Sequence, residues 1–323
     1  MNYKSGSEWR RWDLHLHTPS SYDYKDKSVT NKIIVEKLIE NNIEAAAITD
    51  HHHIDFERIK ELNTLGAGAI HFFRGIETTT NLGGSETVHI IAIFPDDITE
   101  DKINREFLTP LYLDDKAYKD KGEKECQETY VEYRKFVDYA KNCSALISIH
   151  AGHKSNSIEN ICNYFSSKQK QKQDMLKEID ILETGKQKDL DDYSKIVFPD
   201  INKKLPIIVG SDNHDIKNYV VPNTWIKADI TFEGLKQIKY EPELRVKIQD
   251  FNPSLSKTNT CLEKIIIKNT KMFKEKEIVF NKGLVSIIGE KGSGKTALLD
   301  IISLAYGLNN KVIYFQVTDT LEV

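Results

Sequence analysis

Residues 12–19 read WDLHLHTP. The run 12–16 is short and apolar enough for a buried strand. On a strand His15 and His17, two positions apart, share a face. Outward from this stretch, further apolar runs fall at 45–49, 69–76, 87–94, 146–149, 180–182 and 206–209. Amphipathic segments separate them: in 29–40 the apolar residues Val29, Ile33 and Leu38 recur near helical spacing, and 54–65 and 128–140 read the same way. Short buried strands alternating with helices predict an α/β fold with a mainly parallel sheet covered by helices. Six or seven such units favour a barrel over an open sheet.

Chemistry-bearing residues gather at the ends of these predicted strands. The first carries Asp13, His15 and His17, and the second ends in TDHH with Asp50, His51 and His52, followed by His53. The third ends in RGIE with Glu77, the fourth contains His89, and the fifth ends at His150 in SIHAGH. After IIVG comes SDNHD, with Asp212, His214 and Asp215. Neutral imidazole and ionised carboxylate suit Zn, Mn or Fe, and a carboxylate can bridge two cations where a histidine alone cannot. At the carboxyl ends of parallel strands, positions distant in sequence converge on one site. By the spacing that pairs His15 with His17, Asp212 pairs with His214. His71 reads as a structural histidine, and His153 divides evenly between support and surface.

The ordered set HLHT, TDHH, RGIE, His89, His150 and SDNH resembles the polymerase-and-histidinol-phosphatase (PHP) family over most of residues 8–245. The resemblance implies a distorted (β/α)7 barrel that binds metal ions and hydrolyses phosphate esters. Position by position, it implies that His15, His17, Glu77 and Asp212 hold one metal. Glu77 bridges to a second, which also contacts His89 and His150. His51 and His214 hold a third with an acidic ligand from TPSSYDYKD, where Asp23 is the first choice and Asp26 the substitute. Two to three divalent transition metals are therefore expected. Asp50 is expected to orient a ligand or accept a proton, and Arg74 and Lys154 to position phosphate.

Net charge is -4, from 45 basic and 49 acidic side chains, which argues against a globally basic nucleic-acid coat. The lysines of SSKQKQKQDMLKE (166–178) read as a solvated helix face. The four cysteines form no CxxC pair and fit a reducing cytoplasm. No run approaches membrane-spanning length, and no apolar stretch follows the basic N-terminus, so neither a membrane segment nor a secretory signal is expected. Residues 101–125, highly charged, read as a surface insertion near the site in which Tyr112 and Tyr118 serve packing.

From residue 252 the texture changes. NPSLSKTNT reads as a linker, dividing a domain at 1–250 from a second at 251–323. Strands are expected at 262–268, 277–280 and 283–288, and a helix at 296–306. Between the last strand and this helix stands GEKGSGKT, residues 289–296, the G-x-x-x-x-G-K-T phosphate loop in its proper setting. Gly289, Gly292 and Gly294 would admit phosphate to the backbone, Lys295 would reach the terminal phosphates of ATP, and Thr296 would coordinate magnesium. This stretch resembles the opening of the SMC- or ABC-like ATPase head shared by chromosome-maintenance, double-strand-repair and transporter proteins. Fewer than thirty residues follow Thr296, so a partial head with little ATPase activity of its own is expected. Its remainder, or a second subunit, is the expected partner, alongside nucleic acid and a second copy of the chain.

The combined order resembles bacterial proteins of DNA repair or anti-phage defence, implying a nuclease or phosphodiesterase gated by the ATPase module. Two other readings stay open: a phosphatase acting on a nucleotide or sugar phosphate, and a metal-stabilised scaffold without catalysis.

Overall fold

The computed structural model describes residues 7–82, 86–119, 121, 123–161, 166–186, 189–256, 262–268, 273–283 and 285–305. They fall into two compact units that part between 256 and 262.

The first unit is built on one mixed sheet. Its strands are β1 (Glu8–Leu16), β2 (Ile43–Ile48), β3 (His71–Asn81), β4 (Thr87–Ile93), β5 (Val131–Glu132), β6 (Leu146–Ala151), β7 (Ile181–Thr184), β8 (Ile207–Ile208), β9 (Thr224–Ala228) and β10 (Val246–Ile248). They follow the order β10-β9-β1-β2-β3-β4-β6-β7-β8, with β5 beside β3. The sheet is less parallel than the apolar runs predict. β4 runs antiparallel to both neighbours, and β9, unmarked in the sequence reading, pairs antiparallel with β1 and β10. A pair of strands joined by a short connection can only be antiparallel, and apolar content does not report direction.

The sheet nearly closes. Beyond β8, Asp212 N–H donates to His15 C=O at 2.9 Å and His17 N–H to Asn213 C=O at 3.2 Å, so this segment bridges β1. At the other end of β1 the antiparallel β9 occupies the ladder instead. There the buried Thr224 hydroxyl links β9 to β8, lying 2.8 Å from both N–H and C=O of Val209.

Helices cover the outside. The helix Asn31–Glu40 is capped by the Thr30 side chain on Ile33 N–H, and Phe56–Leu65 by Asp55 on Arg58 N–H. The first buries Ile34, Val35 and Leu38; of the expected stripe Val29 and Leu38 are buried, and Ile33 alone is exposed. Within 100–119 and 123–127 the charged insertion forms short helical turns. Phe107 anchors them, standing edge-on against Phe94, just after β4, and Phe136 of the helix Tyr133–Asn142. Among the described residues no helix is long and apolar enough to cross a membrane.

One irregularity in β1 aims the site. From Asp13 to Leu16 the strand takes three steps while β2 takes two, Ala46 to Ile48. This is a bulge, which resets the alternation of faces. Trp12 stacks on Phe73 of β3 at 5.6 Å, and His15 approaches Glu77, four residues further along β3 on the same face. Regular pleating would send residues 12 and 15 to opposite faces.

In the second unit β11 (Lys264–Ile267) and β12 (Lys276–Val279) pair antiparallel. The strand expected at 283–288 is not formed at 285–288, since extended backbone becomes a strand only with a ladder partner and none of the described residues supplies one. The helix Lys295–Ala305 follows the glycine-rich loop.

Thr224→Val keeps shape but strips both hydrogen bonds from Val209 at the seam. Chemical denaturation is expected to show a loss of about 1–3 kcal/mol, with Thr224→Ser near wild type. Equal stability of the Val variant would mean that the hydroxyl does not close the sheet.

Candidate metal centre

The mouth of the barrel collects the donors. His15 and His17 lie at the carboxyl end of β1, and their Nε2 atoms stand 3.0 Å apart. Two bare imidazole nitrogens at this distance repel unless a proton or cation lies between them. Glu77 Oε2 sits 2.8 Å from His15 Nε2 and 3.2 Å from His17 Nε2, and Asp212 Oδ1 sits 3.4 and 3.5 Å from the same two atoms. Donors sharing one ion at about 2.0–2.2 Å stand about 3.0–3.5 Å apart, so the four atoms fit a single divalent cation.

Glu77 faces two ways. Its other oxygen, Oε1, lies 2.6 Å from His89 Nδ1 and 3.4 Å from His150 Nε2. His150 Nδ1 points to Ser155 C=O at 2.9 Å, which leaves the buried Nε2 without a hydrogen-bond partner and aimed at Glu77. Glu77 lies mid-strand in β3, beyond the end of β2, where His52 N–H donates to its carbonyl at 2.8 Å. His89 joins it because β4 is antiparallel: its amino end, opposite Thr79, lies at the same mouth.

A third group is formed by His17, Asp23, His51 and His214. Asp23 Oδ2 lies 3.0 Å from His214 Nε2 and 3.4 Å from His51 Nε2, and Ser21 Oγ donates to its other oxygen at 2.7 Å. Asp26, the substitute, is outside the group and pairs with Lys217 at 2.7 Å. Asp212 and His214 do not share a strand face as period-2 spacing predicts. Asp212 takes a left-handed backbone (φ 50), which a non-glycine residue adopts at a cost of about 1–2 kcal/mol. The ring of His214 stacks on His17 at 3.9 Å.

The electrostatics suit cations. Burial lowers His51 to about 4 and His150 to about 3, outweighing the pull of Glu77, so both are neutral at physiological pH. At His15 and His17 burial acts in the same direction but loses to the surrounding carboxylates. Glu183 and Glu77 hold His15 well above the usual imidazole range, and Asp212 and Glu77 hold His17 at about 9. A proton there competes with a metal, so binding releases it.

Two expected roles are corrected, those of Arg74 and Lys154, and that of Asp50 is narrowed to orienting the turn that carries His17. Arg74 does not reach the centre: its guanidinium donates to Ile98, Pro95 and Asp96 carbonyls at 2.9, 3.1 and 2.6 Å and clamps the loop after β4. The Asp50 carboxylate turns to Thr18, accepting N–H at 2.6 Å and Oγ1–H at 2.7 Å, and so fixes the turn after His17. Burial raises Asp50 to about 6 against the pull of His17 and Thr18. Lys154 does join the centre, but its ammonium meets Glu183 at 2.6 Å and Asp212 at 3.1 Å rather than the open cleft.

His52 and His53 stay outside the donor groups, their rings stacked on Tyr22 and Tyr118. His153 pairs with Asp189 and His71 with Asp96. Tyr118 packs as expected, its hydroxyl donating to Ser20 C=O, whereas Tyr112 is exposed. Sequence reading missed Glu183, at the end of β7, whose oxygens lie 2.9 and 2.8 Å from His15 Nδ1. Its signal was present, since ILET places a carboxylate at the end of an apolar run as RGIE does.

In the second unit Gly292 (φ 82) and Gly294 (φ 90) adopt left-handed backbone that a side chain would strain. Lys295 Nζ donates to Gly289 C=O at 2.7 Å and Glu290 C=O at 2.8 Å, folding the loop back on its lysine. Thr296 lies in the first turn of the helix.

An AAA domain family model matches residues 264–311. The first similar solved structure is a two-domain protein with a predicted PHP-like metal-dependent phosphoesterase from Bacteroides vulgatus. It is 15% identical with a TM-score of 0.48, over 75% of this chain and 64% of that one. The second, described as a metal-dependent phosphoesterase from Bifidobacterium adolescentis, is 13% identical with a TM-score of 0.44, over 71% of this chain and 95% of that one. No curated protein sequence matches. Over residues 264–311 the chain is thus similar in sequence to an AAA domain.

Elemental analysis after reconstitution is expected to find about two to three divalent ions per chain. His15→Ala with Asp212→Ala should sharply lower that content and Arg74→Ala should not; unchanged stoichiometry in the double variant excludes the centre. Affinity should fall with pH below about 9 as a proton returns to His17. A pH-independent affinity between about 6 and 9 counts against the His15–His17 pair as ligands.

Proposed function

We propose that the first unit is a metal-dependent phosphoesterase. The observation that carries this reading is the convergence of His15, His17, Glu77 and Asp212 on one point, with Glu77 turned also to His89 and His150. Divalent ions held there would supply Lewis acidity toward phosphoryl oxygens and acidify water near neutral pH. The chain's own residues set the rest. Glu77 joins two donor groups with one negative charge, His51 and His150 stay neutral, and Asp50 holds the turn that carries His17.

For the substrate we favour a phosphodiester, with a nucleic acid as partner, controlled by the phosphate-loop unit through ATP and magnesium. The supporting feature is a cleft of about 450 Å³ beside the third group, lined by Asp23, Lys25, Asp212, His214 and Asn218 among others. The side chains of Asp23, His214 and Asp212 are 29, 23 and 32% exposed, so the donors open onto a surface a polymer can reach. Among the described residues Lys25 is the lone Lys or Arg of that lining. Sparse positive charge favours the second reading, a small phosphate monoester, because a polynucleotide is ordinarily met by several cations.

A panel of oligonucleotides, nucleotides and sugar phosphates, assayed with Mn, Zn and Mg, divides the two; turnover of monoesters alone would discard the nuclease reading. Glu77→Gln is expected to lower hydrolysis at least about 100-fold, and near-normal activity with metal retained would remove its bridging role. Lys295→Ala should leave phosphodiester hydrolysis by the purified chain nearly intact, whereas His15→Ala should suppress it. ATP hydrolysis abolished specifically by Lys295→Ala would instead show a working nucleotide site in the second unit.

A further inference from the structure

Two ionic groups, one fully and one largely buried, touch the metal centre without a role in the reading above. Glu183 closes β7 with its side chain 0% exposed, and the Lys154 side chain, in the loop after β6, is 8% exposed. Burying charges is costly unless each is paired, and these pair with each other and with the donor set. One Glu183 oxygen lies 2.6 Å from Lys154 Nζ, and both lie within 2.9 Å of His15 Nδ1. Lys154 Nζ also meets Asp212 Oδ2 at 3.1 Å, while Oδ1 of the same carboxylate faces His15 and His17.

We propose that Glu183 and Lys154 are positioning residues of the first metal position. This rests on the metal-centre reading and adds to it which nitrogen and which oxygen are presented. Glu183 accepts a hydrogen bond from His15 Nδ1–H, which keeps the proton on Nδ1 and leaves Nε2 bare toward His17, Glu77 and Asp212. Lys154 occupies Asp212 Oδ2 and leaves Oδ1 for the cation.

Two other roles fit the geometry less well. Glu183, His15 and His150 lie close enough to be a ligand group of their own, but that would require His15 to coordinate through Nδ1. A neutral imidazole has one bare nitrogen, and Nε2 is the one with three donor atoms within 3.4 Å. The ammonium 2.6 Å from Glu183 would also stand beside that cation. A phosphate-binding role for Lys154 requires it to leave two carboxylates. The backbone corroborates a fixed arrangement: a Cβ on Gly210 would lie 2.6 Å from His15 Cβ and 2.8 Å from Glu183 Oε1, so β8 closes over the pair only with glycine there.

The test uses the full chain with Zn²⁺ or Co²⁺ as the probe and a competing chelator. Glu183→Gln is expected to weaken the tightest site about 10- to 100-fold with unchanged stoichiometry at saturating metal. Loss of one ion at saturation would make Glu183 a ligand and overturn the proposal. Lys154→Met should likewise weaken binding, with KM for a phosphate ester unchanged and partial recovery in Lys154→Arg. A KM raised about 10-fold or more with metal affinity intact would make Lys154 a phosphate binder and overturn its part. In the Zn²⁺-loaded wild type, the ¹⁵N spectrum of His15 should show a protonated Nδ1 and a metal-bound Nε2, a readout that needs no variant to fold; the reverse pattern overturns the proposal. A wild type that binds no ion defeats the metal-centre reading itself, whereas binding with wild-type affinity in Glu183→Gln defeats only the positioning role.

Discussion

A carboxylate buried at the mouth of a barrel is the constraint on which the rest of this structure depends. Glu77 is 1% exposed, and an ionised carboxylate removed from water is strongly destabilising unless compensated. Its burial opposes ionisation, yet His15, His51 and His89 prevail and hold it well below the usual carboxylate range. The compensation is distributed. One oxygen faces the β1 histidines and the other faces the histidines of β4 and β6. Each histidine is useful only while its strand keeps register, so the site and the sheet are one problem.

That dependence explains local features that would otherwise look like defects. The β1 bulge sends His15 to the side already occupied by Trp12. The left-handed Asp212 lets its N–H close the barrel while its Oδ1 turns back toward the donors. The Asp50–Thr18 and His150–Ser155 contacts spend no donor on the centre but fix those that do. Strained backbone and buried charge concentrate where a site is built, with the surrounding apolar packing bearing their cost.

The two units stand differently toward their motifs. In the first, donors from many strands converge, and the arrangement is internally complete enough to argue chemistry from distances. In the second, the phosphate loop has its glycine conformations and its helix, yet its lysine is turned onto its own carbonyls and the preceding segment has no ladder partner among the described residues. A phosphate loop positions a ligand; hydrolysis needs further groups to orient water and metal.

The sequence by itself determined the donor types and nearly all their positions. HLH, TDHH, RGIE and SDNH carry residues with little other reason to interrupt apolar runs, and all nine named ligand candidates meet at the barrel mouth. It also located the runs that become β1–β4 and β6–β8, because burial imposes a period that composition displays, but not β5, β9 or β10. Only the tertiary structure decided direction and partnership. Apolar content marks neither β4 as antiparallel nor β9 as the strand that takes the far end of β1, and nothing local marks Arg74 as a loop clamp beside an otherwise informative RGIE. Nor does ILET announce that Glu183 lies under His15, since a carboxylate at a strand end reads as solvated until another strand covers it. Hydrophobic period is a property of one segment, whereas the partner of a buried charge is fixed by how segments far apart in sequence are brought together.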